Sequence, residues 1–311
     1  MVQYDREKWT FDCEPTLSDS QVLDFCRTGY LVLDGVVDAA TNQKALDYLN
    51  GDRAANPSFM PEGWTEADFE RVRGSHEPGT IMLEEWYIQN VLLNGAAAGA
   101  LRSLLGKSVG MPVVVSKHST ACPAPAQEWH HDADCVFGPE LYFVEAFYYP
   151  QDTPAELGPT EVAPGTHYQR TQRETHEEGV LTSASAGSIV FHHQSILHRR
   201  GASTATGTRH MLKYNYWRTA PPVRDWIVED EFDFHTAHYG GHGQYQYCTH
   251  LFYWLCGKGE AFRIMGGQAW PWWSPNQIRR AYGYDLSAGY LPDWDSDSAG
   301  LYTPWIGKDG V

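Results

Sequence analysis

Two stretches of the chain carry residues whose types and spacing could do chemistry. The first is "EWHHDADC", residues 128–135, with two histidines and two aspartates within five positions. Such a cluster can ligate a metal, act as a general acid/base group or form a polar turn. If it lies at the end of a strand, side chains alternate between faces. His130 and Asp132 then share one face, and Trp129 and His131 share the other. A neutral imidazole and a carboxylate two residues apart on one face can hold one metal ion, but a third ligand must come from elsewhere. Asp134 makes a rival pair with Asp132, and two carboxylates would suit Ca²⁺ or Mg²⁺ better.

The second stretch is "GSIVFHHQSILHRRGASTATGTRHMLKYNYWR", residues 187–218. His198 follows an apolar run and a short loop, and Arg209 lies eleven residues later. Two histidines and one carboxylate form the facial triad of non-heme Fe(II) sites, which leaves three positions open on an octahedral ion. Those positions suit a bidentate 2-oxo acid and then dioxygen, with an arginine gripping a distant carboxylate. His192 and His193 are rival distal ligands, but neither has the eleven-residue link to an arginine.

The elements that must position these residues are legible in outline. In "PTLSDSQVLDFCRTGYLVLDGVV" a Ser/Asp cap precedes an apolar-periodic helix ended by Gly29, and "YLVLDGVV" reads as a strand. "DAATNQKALDYLNG" is a second helix closed by Gly51, and residues 52–80 are a polar loop or lid. "WYIQNVLLNGAAAGALRSLLG" is helical with a break near Gly95. From Pro112 onward, short β-branched and aromatic runs alternate with Gly/Pro turns. Helices followed by closely spaced strands predict an α+β chain, mainly β, with a sandwich or barrel core.

Four segments in order, "LSDSQVLDFCRTGYLVLDGVV", "WHHD", "GPTEVAPGTH" and "GSIVFHHQSILHRRG…TRH", resemble the phytanoyl-CoA dioxygenase-like branch of the Fe(II)/2-oxoglutarate oxygenases, over roughly residues 17 to 220. The resemblance implies a double-stranded β-helix, a cupin-like jelly roll with flanking helices. It implies iron ligands at His130, Asp132 and His198, the co-substrate carboxylate on Arg209, and Fe(II), 2-oxoglutarate and O2 as cofactors. Thr160, beside the Pro164-Gly165 turn, is the residue of its segment assigned to the co-substrate, although the turn itself reads as structural. The chain is then one dioxygenase domain over 1–311, with a core at about 112–218, helical support at 17–110 and an extension at 219–311. The implied reaction oxidises a small molecule, hydroxylation first, with decarboxylation of 2-oxoglutarate to succinate. A related halogenase has a small residue in place of the carboxylate, so Asp132 argues against halogenation. Two departures stand out: Arg199 and Arg200 follow the distal histidine where many relatives carry small residues, and the tail past about residue 220 is long.

For the substrate, His131, Lys117 and Trp129 are candidates. Lys117 precedes the site in a strand, and Trp129 either lies against the ligand or fills the core. The 12 Trp and 18 Tyr suggest a flat or apolar natural product. A net charge of -16 and the lack of a basic stripe argue against nucleic acid and anionic membranes. The six cysteines form no C-x-x-C pair, the start lacks an apolar leader and no run approaches 18 apolar residues, so a cytoplasmic location is expected. Two other classes use the same residues: a metal-dependent isomerase or hydrolase on a cupin-like barrel, and a ligand-binding relative without turnover.

Overall fold

The computed structural model describes residues 1–50, 80–113, 115–132, 135, 137, 140–168, 179–232, 248 and 251–257. Asp134, nearly all of the loop expected over 52–80, and the Trp-rich tail lie outside them.

The chain opens with a hairpin of β1 (Gln3–Asp5) and β2 (Thr10–Asp12). Then α1 (Asp19–Thr28), β3 (Tyr30–Leu33) and α2 (Ala39–Asn50) follow. The Ser18 N–H donates to the Gln21 side chain at 3.1 Å, the return bond of a capping box. Gly29 stops α1 in the left-handed region (φ 81°), and a Cβ there would meet His167 Nδ1 at 2.5 Å. One helical stretch runs from Glu85 through a π-turn at Ile88–Leu92. Asn94 then caps a separate helix, Gly95–Leu105, by accepting from the Ala96 and Ala97 N–H groups, so the expected break falls at a cap.

Beyond this support the chain is strand: β4 (Val109–Gly110), β5 (Val115–Ala124), β6 (Phe143–Tyr149), β7 (Thr160–Val162), β8 (Val180–Leu181), β9 (Ser188–His193), β10 (His198–Arg200) and β11 (Ser203–Trp217). Eight strands make one antiparallel sheet in the order β1-β2-β4-β11-β6-β9-β3, with β5 also paired to β11. A second sheet has the order β10-β7-β8. This mainly β, two-sheet arrangement with helices on one side is the expected jelly roll.

The period of two decides what each face of the large sheet does. Val144, Ala146 and Tyr148 of β6, Ile189 and Phe191 of β9, and Leu212 and Tyr214 of β11 pack into one core with Phe25, Leu101 and Leu104 of the helices. The alternate residues, Phe147, Tyr149, Val190 and Met211, form a second cluster on the opposite face, inside the barrel. Helices therefore brace the outer face and leave the inner face to the site. Register then fixes the interior row: Arg209 lies opposite Thr120, Met211 opposite His118 and Lys213 opposite Phe147.

The described part of the extension has a structural task. Asp19, fully buried at the start of α1, accepts from Arg224 Nη2 at 3.0 Å, Trp226 Nε1 at 2.7 Å and the Glu229 N–H at 2.9 Å. Removing one member of a buried charge pair leaves the other uncompensated, at a cost of about 3–5 kcal/mol. Asp19→Ala is expected to destabilise the chain by that order in denaturant unfolding. A variant that unfolds at the native midpoint would show that residues 224–229 do not hold α1.

Candidate active site

A cavity of about 320 Å³ opens between the two sheets. His130 and His198 meet in it because their backbones pair: each N–H donates to the other's carbonyl, at 2.9 and 3.0 Å. Such a pair places two side chains next to each other on one face, and the ring centroids stand 4.5 Å apart. Asp132 follows two residues on, its carboxylate 3.9 Å from His198 Nε2. His130, Asp132 and His198 each offer one donor atom within 4.8 Å of the others.

The local bonds ready this set for a metal. His130 Nδ1 lies 2.9 Å from the Glu128 carbonyl, and His198 Nδ1 lies 3.1 Å from the Ile196 carbonyl. A carbonyl can only accept, so both Nδ1 atoms carry the proton and both Nε2 lone pairs are free. Such outer bonds fix tautomer and ring orientation at metal centres. Burial pushes His198 down to about 4, so it stays a neutral ligand at physiological pH. Burial alone would raise the Asp132 carboxyl. A hydrogen bond with Glu145 and the charge of Lys213 outweigh it and hold the group well below the usual carboxylate range. The donor set fits a ferrous ion: two imidazoles and one carboxylate, with His130 and Asp132 part-exposed and His198 buried.

Arg209 lies deeper on β11, 2% exposed. Its Nη2 reaches Tyr149 Oη at 3.4 Å and Thr160 Oγ1 at 3.3 Å, while its buried Nε has no partner. Among the described residues no carboxylate pairs with it. A buried guanidinium held only by neutral groups is costly unless an anion joins it. Arg209 thus fits the far carboxylate of 2-oxoglutarate, with Thr160 and Tyr149 beside it.

The remaining assignments divide. His131 borders the cavity, its Nδ1–H donating to the Ser195 carbonyl at 2.8 Å. Lys117 is a correction: it pairs in register with Leu212, one step off the interior row, and its Nζ donates to the Leu49 carbonyl at 3.1 Å. His118 and Thr120 line the cavity instead. Of the two readings of Trp129 the structure shows the core one: it is buried with Ala163 and Leu197, and the Arg199 guanidinium lies over it at 4.3 Å. Of the rival histidines, His193 faces the helices, 4.6 Å from the His167 ring, while His192 faces inward against Phe147 at 4.2 Å. Lys213, in contact with Asp132 and 3.5 Å from Glu145, and Tyr149 beside Arg209 were not foreseen. The signal for Lys213 was present, because it stands on the same side of β11 as Arg209 by simple alternation.

Four buried histidines set the acid limit. Burial depresses His167 to about 3 and His198 to about 4, and holds His192 and His193 well below the usual value. Between the unfolded value of about 6.5 and these folded values the unfolded chain binds more protons. Stability therefore falls as pH drops below about 6.5, by up to about 1.4 kcal/mol per pH unit for each group. Thermal melts are expected to stay nearly level from pH 7.5 to about 6.5 and to shift downward from there to pH 5, and a flat profile below about 6.5 would contradict this.

A jelly roll with a His-x-Asp…His set at its mouth and an arginine within defines the non-heme iron 2-oxoglutarate oxygenase class. The chain belongs to the phytanoyl-CoA dioxygenase (PhyH) family, whose model matches residues 25–211. It is accordingly an enzyme that uses Fe(II), 2-oxoglutarate and O2. No curated protein sequence matches the chain. Among solved structures it is similar to HygX from Streptomyces hygroscopicus with nickel and 2-oxoglutarate bound, at 14% identity and TM-score 0.51, over 73% of this chain and 96% of that one. It is also similar to the non-heme alpha ketoglutarate dependent epimerase SnoN from nogalamycin biosynthesis (18%, TM-score 0.48, 63% of this chain and 79% of that one). A third is the carbocyclase SnoK from the same biosynthesis (19%, TM-score 0.47, 66% and 87%). The likeness to HygX bears on the fold alone. Among the described residues, no helix is long and apolar enough to cross a membrane.

Proposed function

We propose that the chain is a single-domain dioxygenase that hydroxylates a small-molecule metabolite while converting 2-oxoglutarate to succinate and carbon dioxide. In this reading His130, Asp132 and His198 hold the iron, and Arg209 with Thr160 holds the distal carboxylate of the co-substrate. The observation that carries it is the pairing of a two-histidine, one-carboxylate donor set with a buried guanidinium that has no acid partner among the described residues, in one cavity. Iron, co-substrate and dioxygen together supply the oxidising power, and the protein's tasks are binding, orientation and exclusion of water.

The chain's residues divide that work. The carbonyls of Glu128 and Ile196 hold the two imidazoles in register. Phe147 and Met211 line the wall between Arg209 and the donor set. Arg199 and Arg200 give the mouth a positive edge on an otherwise acidic chain. Arg199 is anchored to Glu161 at 2.7 Å and Arg200 to the Pro125 carbonyl at 2.6 Å, so both are fixed. That edge favours a substrate with an anionic or strongly polar group, which revises the expectation of a purely apolar one. His131 stands at the same cavity as a substrate neighbour. The six thiols are free, as a reducing cytoplasm would keep them.

The test is anaerobic addition of 2-oxoglutarate to the Fe(II) protein, read by the visible charge-transfer absorption of the chelate. Succinate release on admission of oxygen is then measured with a panel of polar metabolites. Hydroxylated product with matched succinate is the expected result. Turnover of a metabolite with zinc or manganese and no 2-oxoglutarate would replace this reading with the isomerase or hydrolase one.

A further inference from the structure

The barrel interior carries a second set of donors that the proposed iron site does not use. Glu145 of β6 and His192 of β9 face each other in register and point inward. Glu145, His192 and His198 are all buried, and each offers a donor atom within 4.8 Å of the others. His192 is completely enclosed, and neither of its ring nitrogens has a hydrogen-bond partner. Leaving a buried polar atom unsatisfied costs about 1–3 kcal/mol. Phe147 packs against the ring at 4.2 Å and holds its orientation. Two imidazoles and a carboxylate in a dry enclosure suit a divalent ion of borderline softness, such as Fe(II), Co(II) or Zn(II).

We propose that Glu145, His192 and His198 form an inner site for a divalent transition-metal ion, separate from the outer set of His130, Asp132 and His198. The two sets share His198, and that histidine can serve only one ion at a time. Its Nδ1–H is engaged by the Ile196 carbonyl at 3.1 Å, so Nε2 is its single donor. Occupying the inner site takes the distal histidine away from the outer one. Glu145 and His192 are buried, while His130 and Asp132 are part-exposed at the cavity, so an inner ion is the better shielded from solvent. Lys213 touches a carboxylate of each set, Asp132 directly and Glu145 at 3.5 Å. It can therefore neutralise whichever carboxylate is without an ion.

The test uses the full chain and Co(II), whose ligand-field absorption reports coordination without turnover. The His130→Ala/Asp132→Asn variant lacks two outer ligands and keeps the inner set. It is expected to bind one Co(II). Adding His192→Phe should weaken that binding by more than the roughly 10–100-fold that disturbing a neighbour of a ligand brings. Glu145→Gln, nearly isosteric, should do the same and serves if the first combination does not fold, as judged by circular dichroism. Absence of Co(II) binding in folded His130→Ala/Asp132→Asn protein overturns the proposal. So does binding that neither His192→Phe nor Glu145→Gln weakens. Either outcome leaves the oxygenase reading intact, since that reading stands or falls on succinate formation by the native chain.

Discussion

Asp132→Ala is expected to abolish succinate formation and, in a His192→Phe background that removes the inner set, to weaken Fe(II) binding by more than about a hundredfold, since changing even an outer neighbour of a ligand costs roughly 10–100-fold. The loss has two parts. The carboxylate is the only acid of the outer set, so the variant offers the ion two imidazoles alone. It also strips Lys213 of its nearest acid and leaves Glu145, 3.5 Å away, as that ammonium's remaining partner. A cation beside an empty ligand position repels an incoming ion, and Coulomb energies of several kcal/mol arise at such distances for an effective dielectric of about 20. The two effects separate in a double variant. Asp132→Ala/Lys213→Met is expected to recover part of the metal affinity that Asp132→Ala loses, a non-additive result typical of residues in contact. Calorimetric titration with Fe(II) under anaerobic conditions reads both. Full succinate formation by Asp132→Ala would refute the ligand assignment.

How much of this was legible in the sequence depends on the range of each constraint. His130, Asp132, His198 and Arg209 were named through the family resemblance; the local spacings, two residues from His130 to Asp132 and eleven from His198 to Arg209, supported it, while the 66 positions from Asp132 to His198 carry no such signal. The helix of Asp19–Thr28 was legible from its capping residues and Gly29, which are local. Strand alternation within β11 places Lys213 on the face of Arg209, but rejecting Lys117 required the register of β5 on β11. That register is set by contacts some ninety residues apart, which spacing does not reveal. Tyr149 and Glu145 sit in a strand that reads as continuously apolar and aromatic, "YFVEAFYY", so the inward face could not be told from the outward one. The role of Asp19 depends on residues 224–229, more than two hundred positions away.

Arg209→Met should separate apo stability from co-substrate binding, moving them in opposite directions. In the native chain the guanidinium is 2% exposed and contacts hydroxyls at 3.3 and 3.4 Å, with no acid partner among the described residues. Replacing a buried, poorly compensated charge by an apolar side chain of similar length is often neutral or stabilising by about 1–4 kcal/mol. The metal-free variant is therefore expected to melt at or above the native temperature. Truncating one partner of a buried hydrogen-bonded charge pair costs about 2–5 kcal/mol in the complex, on the order of 10²–10³ in affinity. The KM for 2-oxoglutarate should rise by that order, while Fe(II) affinity stays near native because the outer donor set is untouched. Ligand binding stabilises a fold by mass action, so the thermal shift that saturating 2-oxoglutarate gives the native Fe(II) protein should vanish. A structural arginine would behave differently: its loss would lower the apo melting temperature and leave the co-substrate shift in place. Thermal melts with and without 2-oxoglutarate, run beside the KM determination, distinguish the two, and retention of the native KM would remove Arg209 from the co-substrate site.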